Sequence, residues 1–318
     1  LNGMLDYIRV HCRPLRDLGL IRVAGDDAVS FLQGQLSNDV RRLSETRGQI
    51  TSLNSPKGRM LAVIHAFVRP HGIYLEMPRS LVTPTLTRLK MFVLRSKVSL
   101  EDVSERFTIY AMGGADQKRL PRIARELHLP REAFGTLTFE NVSFMRRWDD
   151  LPRFSVYRLR KPNEDAGGEA PVPGGDTEWR TSDIFSGTPV VYPETQDHFV
   201  PQMANLDQIG GIDYNKGCYT GQEVVARVHY LGAVKRRMYL IRAEQLLSPG
   251  TSIHDGSPDG PAVGEVVDSV VLPDGEVCAS AVLQVSHAES AQLCTAQGPL
   301  RHALAYEYAP RNITEGNG

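Results

Sequence analysis

The sequence predicts an α+β protein: two α/β layers of ferredoxin-like plan, then a small antiparallel β-barrel at the C-terminal end. Three observations carry this. The order β-α-β-β-β-α-β over residues 20–103 resembles an elaborated split βαβ unit. A strand, a helix and three more strands follow over residues 106–159. After Lys235-Arg236-Arg237 the pattern changes to short β segments separated by Gly, Pro, Ser and Asp, the spacing of a barrel.

Residues 20–23 form a short apolar strand. Gly25-Asp26-Asp27 offers a cap, and Val29, Leu32 and Leu36 fall on one face of the helix that Asn38-Asp39 ends. Gly34 inside that helix costs about 1 kcal/mol against Ala, which hints at close backbone packing or a nearby ligand, or else is simply tolerated. Gln49–Asn54, Arg59–Val68 and Ile73–Met77 read as strands, joined by the turns Ser55-Pro56-Lys57-Gly58 and Arg69-Pro70-His71-Gly72. Leu81–Leu94 reads as a helix with Pro84 in its first turn, and Val98–Val103 as a strand. In the second round Arg106–Met112 is a strand, Gln117–Leu127 a helix, and Thr136–Phe139, Val142–Arg146 and Phe154–Leu159 are strands. Residues 161–176 are polar and rich in Gly and Pro, the composition of a mobile loop. Trp179–Phe185 is a short helix. Met238–Arg242, Thr251–Ile253, Ala262–Val271 and Val277–Val285 are the barrel strands. The division expected is a body over 1–237, with lobes 1–104 plus 177–237 and 105–160, and a barrel domain over 238–318.

Composition is ordinary for a globular protein of 318 residues, and a formal net charge of −1 argues against a global nucleic-acid footprint. No apolar run reaches the roughly 18 residues a membrane helix needs. Leu1-Asn2-Gly3-Met4 lacks the charged and apolar regions of a secretory signal. Cys12, Cys218, Cys278 and Cys294 are scattered, with no C-x-x-C pair and no zinc-ligand spacing, so reduced thiols in a reducing compartment are expected.

The most informative stretch is Lys216-Gly217-Cys218-Tyr219-Thr220-Gly221-Gln222-Glu223. Its glycines permit positive φ or close approach, so it reads as a tight loop. Val224, Val225 and Val228 continue it as one face of a short helix, with Thr220 as cap and Glu223 as its capping-box partner. Cys218 would then sit before a helix N-terminus beside Lys216, and both features favour thiolate. Read from residue types alone, the cysteine is more readily a small buried hydrophobe and the glycines turn formers. Tyr192, Phe199, Tyr214, Tyr219 and Tyr230 supply aromatic faces, and Lys216, Arg227, Lys235, Arg236 and Arg237 supply cations.

Lys216 through Glu223 resembles the K-G-C-[FY]-x-G-Q-E motif of YgfZ-type folate-binding proteins, a branch of the glycine-cleavage T-protein (aminomethyltransferase) superfamily. The resemblance extends from Phe199-Val200-Pro201-Gln202 and Asn205-Leu206 through Ala226-Arg227 to Gly232 and Lys235-Arg236-Arg237. Phe31-Leu32-Gln33-Gly34-Gln35-Leu36-Ser37-Asn38-Asp39 is similar to the family's F-L-Q-G-Q-[LV]-[ST]-N-D, and Pro56-Lys57-Gly58-Arg59-Met60 to its P-K-G-[KR] turn. The resemblance implies a two-lobed, T-protein-like folate-binding body followed by a C-terminal barrel, in a three-domain ring.

The resemblance further implies tetrahydrofolate or a derivative as cofactor. Asn38, Asp39, Tyr192, Gln202, Asn205, Tyr219, Gln222, Glu223 and Arg227 are the expected contacts, and Cys218 and Lys216 the chemical pair. It implies an accessory role in assembly or repair of iron–sulfur enzymes, including those that modify tRNA, with iron–sulfur proteins or their assembly factors as partners. No direct nucleic-acid or membrane contact is expected. The expected compartment is the cytoplasm, or the mitochondrial matrix in a eukaryote. The alternative is a folate-dependent one-carbon transferase. Against it, the strand that would carry the T-protein carboxylate reads Gln49-Ile50-Thr51-Ser52-Leu53-Asn54. Phe185 stands where the T-protein holds the pterin with Glu, leaving Asp183 and Glu194 as nearby substitutes.

Overall fold

The computed structural model describes residues 12–113, 128–148, 152–161, 164 and 175–308. Strand β1 (Arg13–Pro14) precedes β2 (Leu18–Ala24), α1 (Ala28–Gln33), β3 (Gln49–Asn54), β4 (Met60–Arg69), β5 (Gly72–Pro78), α2 (Arg79–Lys90) and β6 (Ser99–Asp102). Then come β7 (Phe107–Gly113), β8 (Thr136–Phe139), β9 (Val142–Arg146), β10 (Arg153–Leu159), α3 (Gly175–Ser186) and α4 (Gln222–Leu231). The last six strands are β11 (Arg236–Ala243), β12 (Ser252–Asp255), β13 (Ala262–Val271), β14 (Val277–Gln284), β15 (Leu293–Thr295) and β16 (Gly298–Ala305).

Two antiparallel five-stranded sheets form the body, in the orders β3-β4-β5-β2-β6 and β1-β7-β10-β9-β8. Residues of both bury a shared apolar layer, in which Phe67 of the first sheet stacks on Tyr157 of the second at 4.2 Å between ring centroids. Leu20, Tyr74, Ile109 and Met145 belong to the same layer. β3 is buried along its whole length, because α1 and the segment after α3 cover it. The last six strands close into a barrel, β11-β14-β13-β12-β15-β16, with β16 pairing back on β11 from Tyr239↔Ala305 to Ala243↔Leu300. Arg180 of α3 ties this barrel to the body through Asp268 of β13, which also accepts from the Tyr192 hydroxyl at 3.2 Å.

Several local readings need correction. α1 ends at Gln33, not near Leu36, and Leu36 pairs instead with Leu53 in an isolated bridge. Of the expected stripe, Leu32 and Leu36 are buried but Val29 faces outward, and Ala28 and Phe31 join the core in its place. α2 starts earlier and stops sooner than Leu81–Leu94. Pro84 consequently lies inside the helix rather than in its first turn, and the helix has ended before Leu94, whose φ of 41° is left-handed. α3 begins at Gly175, taking the last two residues of the loop assigned to 161–176. The rest of that loop, except residues 161 and 164, and the helix expected at Gln117–Leu127 lie outside the described residues. The barrel has two strands beyond those read from the sequence: β15 is only three residues, and β16 contains a proline, which blurs its alternation.

Candidate functional site

The three motif segments meet. Lys216 is only 5% exposed, and its ammonium donates to the carbonyls of Gln33 (2.8 Å), Leu36 and Asn38 (3.0 Å). An ammonium has three N–H donors, so all are spent on the turn that follows α1. Two further backbone bonds join the same partners: Thr220 donates to Gly34 and Asp213 to Ser37. The ammonium lies 4.9 Å above the Tyr219 ring. Burial pushes its pKa down to about 8, with Asp39 and Asp213 opposing. Lys216 therefore fastens the loop to α1; its donors are not turned toward Cys218.

The turn Ser55–Arg59 closes the other side. At Gly221, φ is +81°, and a Cβ there would come 2.4 Å from the Ser55 carbonyl and 2.8 Å from Gly58 Cα. Gly58, also at positive φ, leaves 2.7 Å between such an atom and Val224 Cβ. Glycine is thus required at both positions for conformation and for space. Gly217 has open space around it and Gly34 sits at φ −81°, so neither is held to glycine by crowding. Gly221→Ala should destabilise the protein by about 2–4 kcal/mol, the αL penalty plus the clash. A melting temperature unchanged by that substitution would contradict the packing described.

Gly221 itself is the N-cap of α4, with no side-chain capping bond. The capping box read at Thr220 and Glu223 does not form. Glu223 pairs instead with Arg227 at 2.7 Å along the helix. Cys218 lies three residues before that cap and is exposed, which rules out a buried-hydrophobe role. Cys12 and Cys278 are the buried thiols, and burial pushes them up to about 12 and about 11.

The expected folate contacts divide into engaged and free groups. Asn38 donates to the carbonyls of Ile50 (2.9 Å) and Gly210 (2.8 Å) and accepts from Asp39 N. Asn205, in the left-handed region, donates to Met238 O and Tyr308 Oη. Tyr192 faces Asp268 and the barrel. Tyr219 is buried under Lys216. Gln202 donates to Val225 O at 2.7 Å, but its Oε1 is buried without a partner. Gln222, Glu223 and Arg227 line the accessible side of α4. Of the basic cluster, Arg237 is committed to Asp207 at 2.7 and 3.0 Å. Asp183 accepts from Arg153 at 2.7 Å. Glu194 is exposed, and Phe185 carries the Arg242 guanidinium 5.3 Å over its ring.

Asp39 accepts from Gln33 and doubly from Arg41, each at 2.9 Å, and from Arg41 N at 3.1 Å. The Arg41 hydrogen bonds outweigh burial and hold its carboxyl down at about 2. A lowered carboxylate value gives stability that is complete above the unfolded value and is lost as pH falls through the folded one. That window runs from the ordinary 3.8 down to about 2. Asp39→Asn should remove this acid-limb slope while costing about 1–2 kcal/mol at neutral pH. Equal slopes for both proteins between pH 4 and 2 would sink the assignment.

Asn54 ends β3, is 0% exposed, and has neither Nδ2 nor Oδ1 paired. A buried amide with both ends free signals a missing partner. The only sequence signal was its place beside the Pro56 turn. Among the described residues no group of His, Cys, Asp and Glu is arranged to hold a metal ion. No helix among them is long and apolar enough to cross a membrane.

Two layered sheets and a closed barrel, with a glycine-locked loop fastened to the first helix, define a T-protein-like fold. The glycine cleavage system aminomethyltransferase T from Bartonella henselae matches over 91% of this chain and 83% of its own, with TM-score 0.63 and 13% identity, a likeness of fold alone. The tRNA-modifying protein YgfZ of Hamiltonella defensa subsp. Acyrthosiphon pisum is 31% identical over 281 residues, covering 85% of this chain and 82% of the relative. The protein of that name from Yersinia pestis (strain Pestoides F) is 29% identical over 308 residues, covering 95% and 92%. No protein-family model matches the chain. The chain belongs to the YgfZ family.

Proposed function

We propose that the protein is a tetrahydrofolate-binding accessory factor for iron–sulfur enzymes, including those that modify tRNA, and that Cys218 is its working thiol. The observation that carries this is the Lys216 clamp: a buried ammonium and two obligatory glycines rigidify a loop whose cysteine is left exposed. A merely structural cysteine would not need so constrained a support. The relatives' name, tRNA-modifying protein, supports the same direction.

The residues present fit a folate in chemical kind. The unpaired Asn54 amide and Gln202 Oε1 offer the donor and acceptors that a pterin's amide-and-amine edge complements. Lys57 and Lys235 are exposed cations suited to a glutamate tail, while Arg227, also exposed, would first have to give up Glu223. Tetrahydrofolate, when bound, supplies a one-carbon carrier. Around it the chain's own groups would orient the ring edge and the tail and present the Cys218 sulfur. β3 ends on an amide rather than a carboxylate, so it holds no group there that would take a proton. That favours binding over aminomethyl transfer, in a reducing, cytoplasmic setting where the thiol stays free.

Tetrahydrofolate should raise the melting temperature, because a ligand selective for the native state stabilises it by about 2.7 kcal/mol at 100 times Kd. Asn54→Ala should weaken that shift without unfolding the protein. No shift at saturating folate would overturn the ligand assignment.

A further inference from the structure

The last turn of α4 carries a cluster of aromatic rings at the surface. Tyr214, from the segment that leads into the Cys218 loop, stacks on His229 with 3.7 Å between ring centroids and 12° between planes. Tyr230 meets both edge-on, at 4.7 Å from His229 and 6.3 Å from Tyr214. Gln202 fixes Tyr214 by donating to its hydroxyl at 3.2 Å. The stack of Tyr214 on His229 fastens the helix to the loop. Tyr230 adds little to that packing, because it is 63% exposed, and His229 is exposed beside it.

The charge next to these rings is positive. Between residues 199 and 242 the carboxylates are Asp207, Asp213 and Glu223. Each is spent on an arginine, namely Arg237, Arg42 and Arg227. Lys235, exposed, and Arg236, half-buried, have no ion-pair partner among the described residues. They follow Tyr230 in the chain, and six residues span at most about 20 Å, so both cations stand close to the rings. Glu289 of the barrel, which bears on Tyr239, marks the acidic edge of the patch.

We propose that this platform binds a single-stranded nucleic acid, with a base against the Tyr230 ring and neighbouring phosphates against Lys235 and Arg236. Aromatic faces beside unpaired cations suit such a strand, since every base has a π face and every phosphate a charge. An acidic peptide would engage the cations but leave the rings without flat partners. The net charge of −1 bears on the whole surface and not on this patch. Tyr214 precedes Lys216 and Cys218 in one short segment, so a bound strand would lie beside the Cys218 loop. The inference goes beyond the folate reading and does not require it.

The test follows fluorescence anisotropy of a short labelled oligoadenylate, as RNA and as DNA, titrated with the full chain at low and at raised salt. An abasic oligomer of the same length and a polyglutamate peptide serve as competitors. Oligoadenylate should bind, the tighter of its two forms identifying RNA or DNA as the source, with both competitors about tenfold weaker. Y230A should lose about tenfold in affinity, the worth of one stacked base, while Y230F retains it. Tyr230 is exposed, so both variants should melt with the parent. R236E should flatten the dependence of log affinity on log salt by about 0.7, the loss of one phosphate contact. Lys235 is left unchanged, because the folate tail would share it, and the folate-induced thermal shift should be the same in Y230A and the parent. No binding at low salt, an abasic oligomer or polyglutamate that competes as well as oligoadenylate, or parental affinity in Y230A would each overturn the proposal.

Discussion

Lys216→Met should cost about 2–4 kcal/mol of stability, the largest loss expected from any single surface-distant side chain near the loop. The substitution keeps a long aliphatic stem but leaves the carbonyls of Gln33, Leu36 and Asn38 without their donor. Removing a buried charge recovers its desolvation cost, the same cost that pushes the ammonium down to about 8. Stranding three backbone acceptors outweighs that gain, since an unmade buried hydrogen bond costs about 1–3 kcal/mol. Urea unfolding measures the effect directly. A midpoint within error of the parent would mean that the loop is not held by this clamp. The sequence had paired Lys216 with Cys218 as a tuner of the thiol; the geometry makes it a fastener, so its loss should show first as instability.

Cys218→Ser should behave in the opposite way, abolishing support of iron–sulfur enzymes while changing stability by less than about 0.5 kcal/mol. Surface substitutions away from caps and networks fall in that range. Cys218 is exposed, so serine introduces no buried hydroxyl. Among the four thiols, Cys218 should alkylate fastest at neutral pH. Cys12 and Cys278 are protected twice, by inaccessibility and by burial that disfavours the thiolate.

The fold was legible where local periodicity and turn chemistry agree. β3, β4, β5 and their two turns stand where alternation and the Pro-Lys-Gly and Pro-His-Gly signals put them. The barrel was legible as a class from four short segments. β15 and β16 were not, because three residues or a proline-bearing run leave too little pattern. At the loop, the sequence singled out the residues but misplaced the contacts. Gly221 rather than Thr220 caps α4, because close approach to Ser55 and Gly58 decides the backbone there. That approach is a tertiary contact across more than 160 residues, which no local pattern carries. Asn38 and Asn205 illustrate the same limit. Their amides are consumed by backbone groups distant in the chain, so residue type alone could not separate scaffold from ligand contact.

The account stands most directly on complementation by Cys218→Ser. A bacterial strain lacking its own member of the family would express the parent or the variant at matched abundance, and tRNA modifications made by iron–sulfur enzymes would be quantified by mass spectrometry. The account predicts that the variant accumulates like the parent, melts at the same temperature and still shows the folate-induced shift, yet leaves those modifications at the level of the empty strain. Full restoration of the modifications by Cys218→Ser would contradict it.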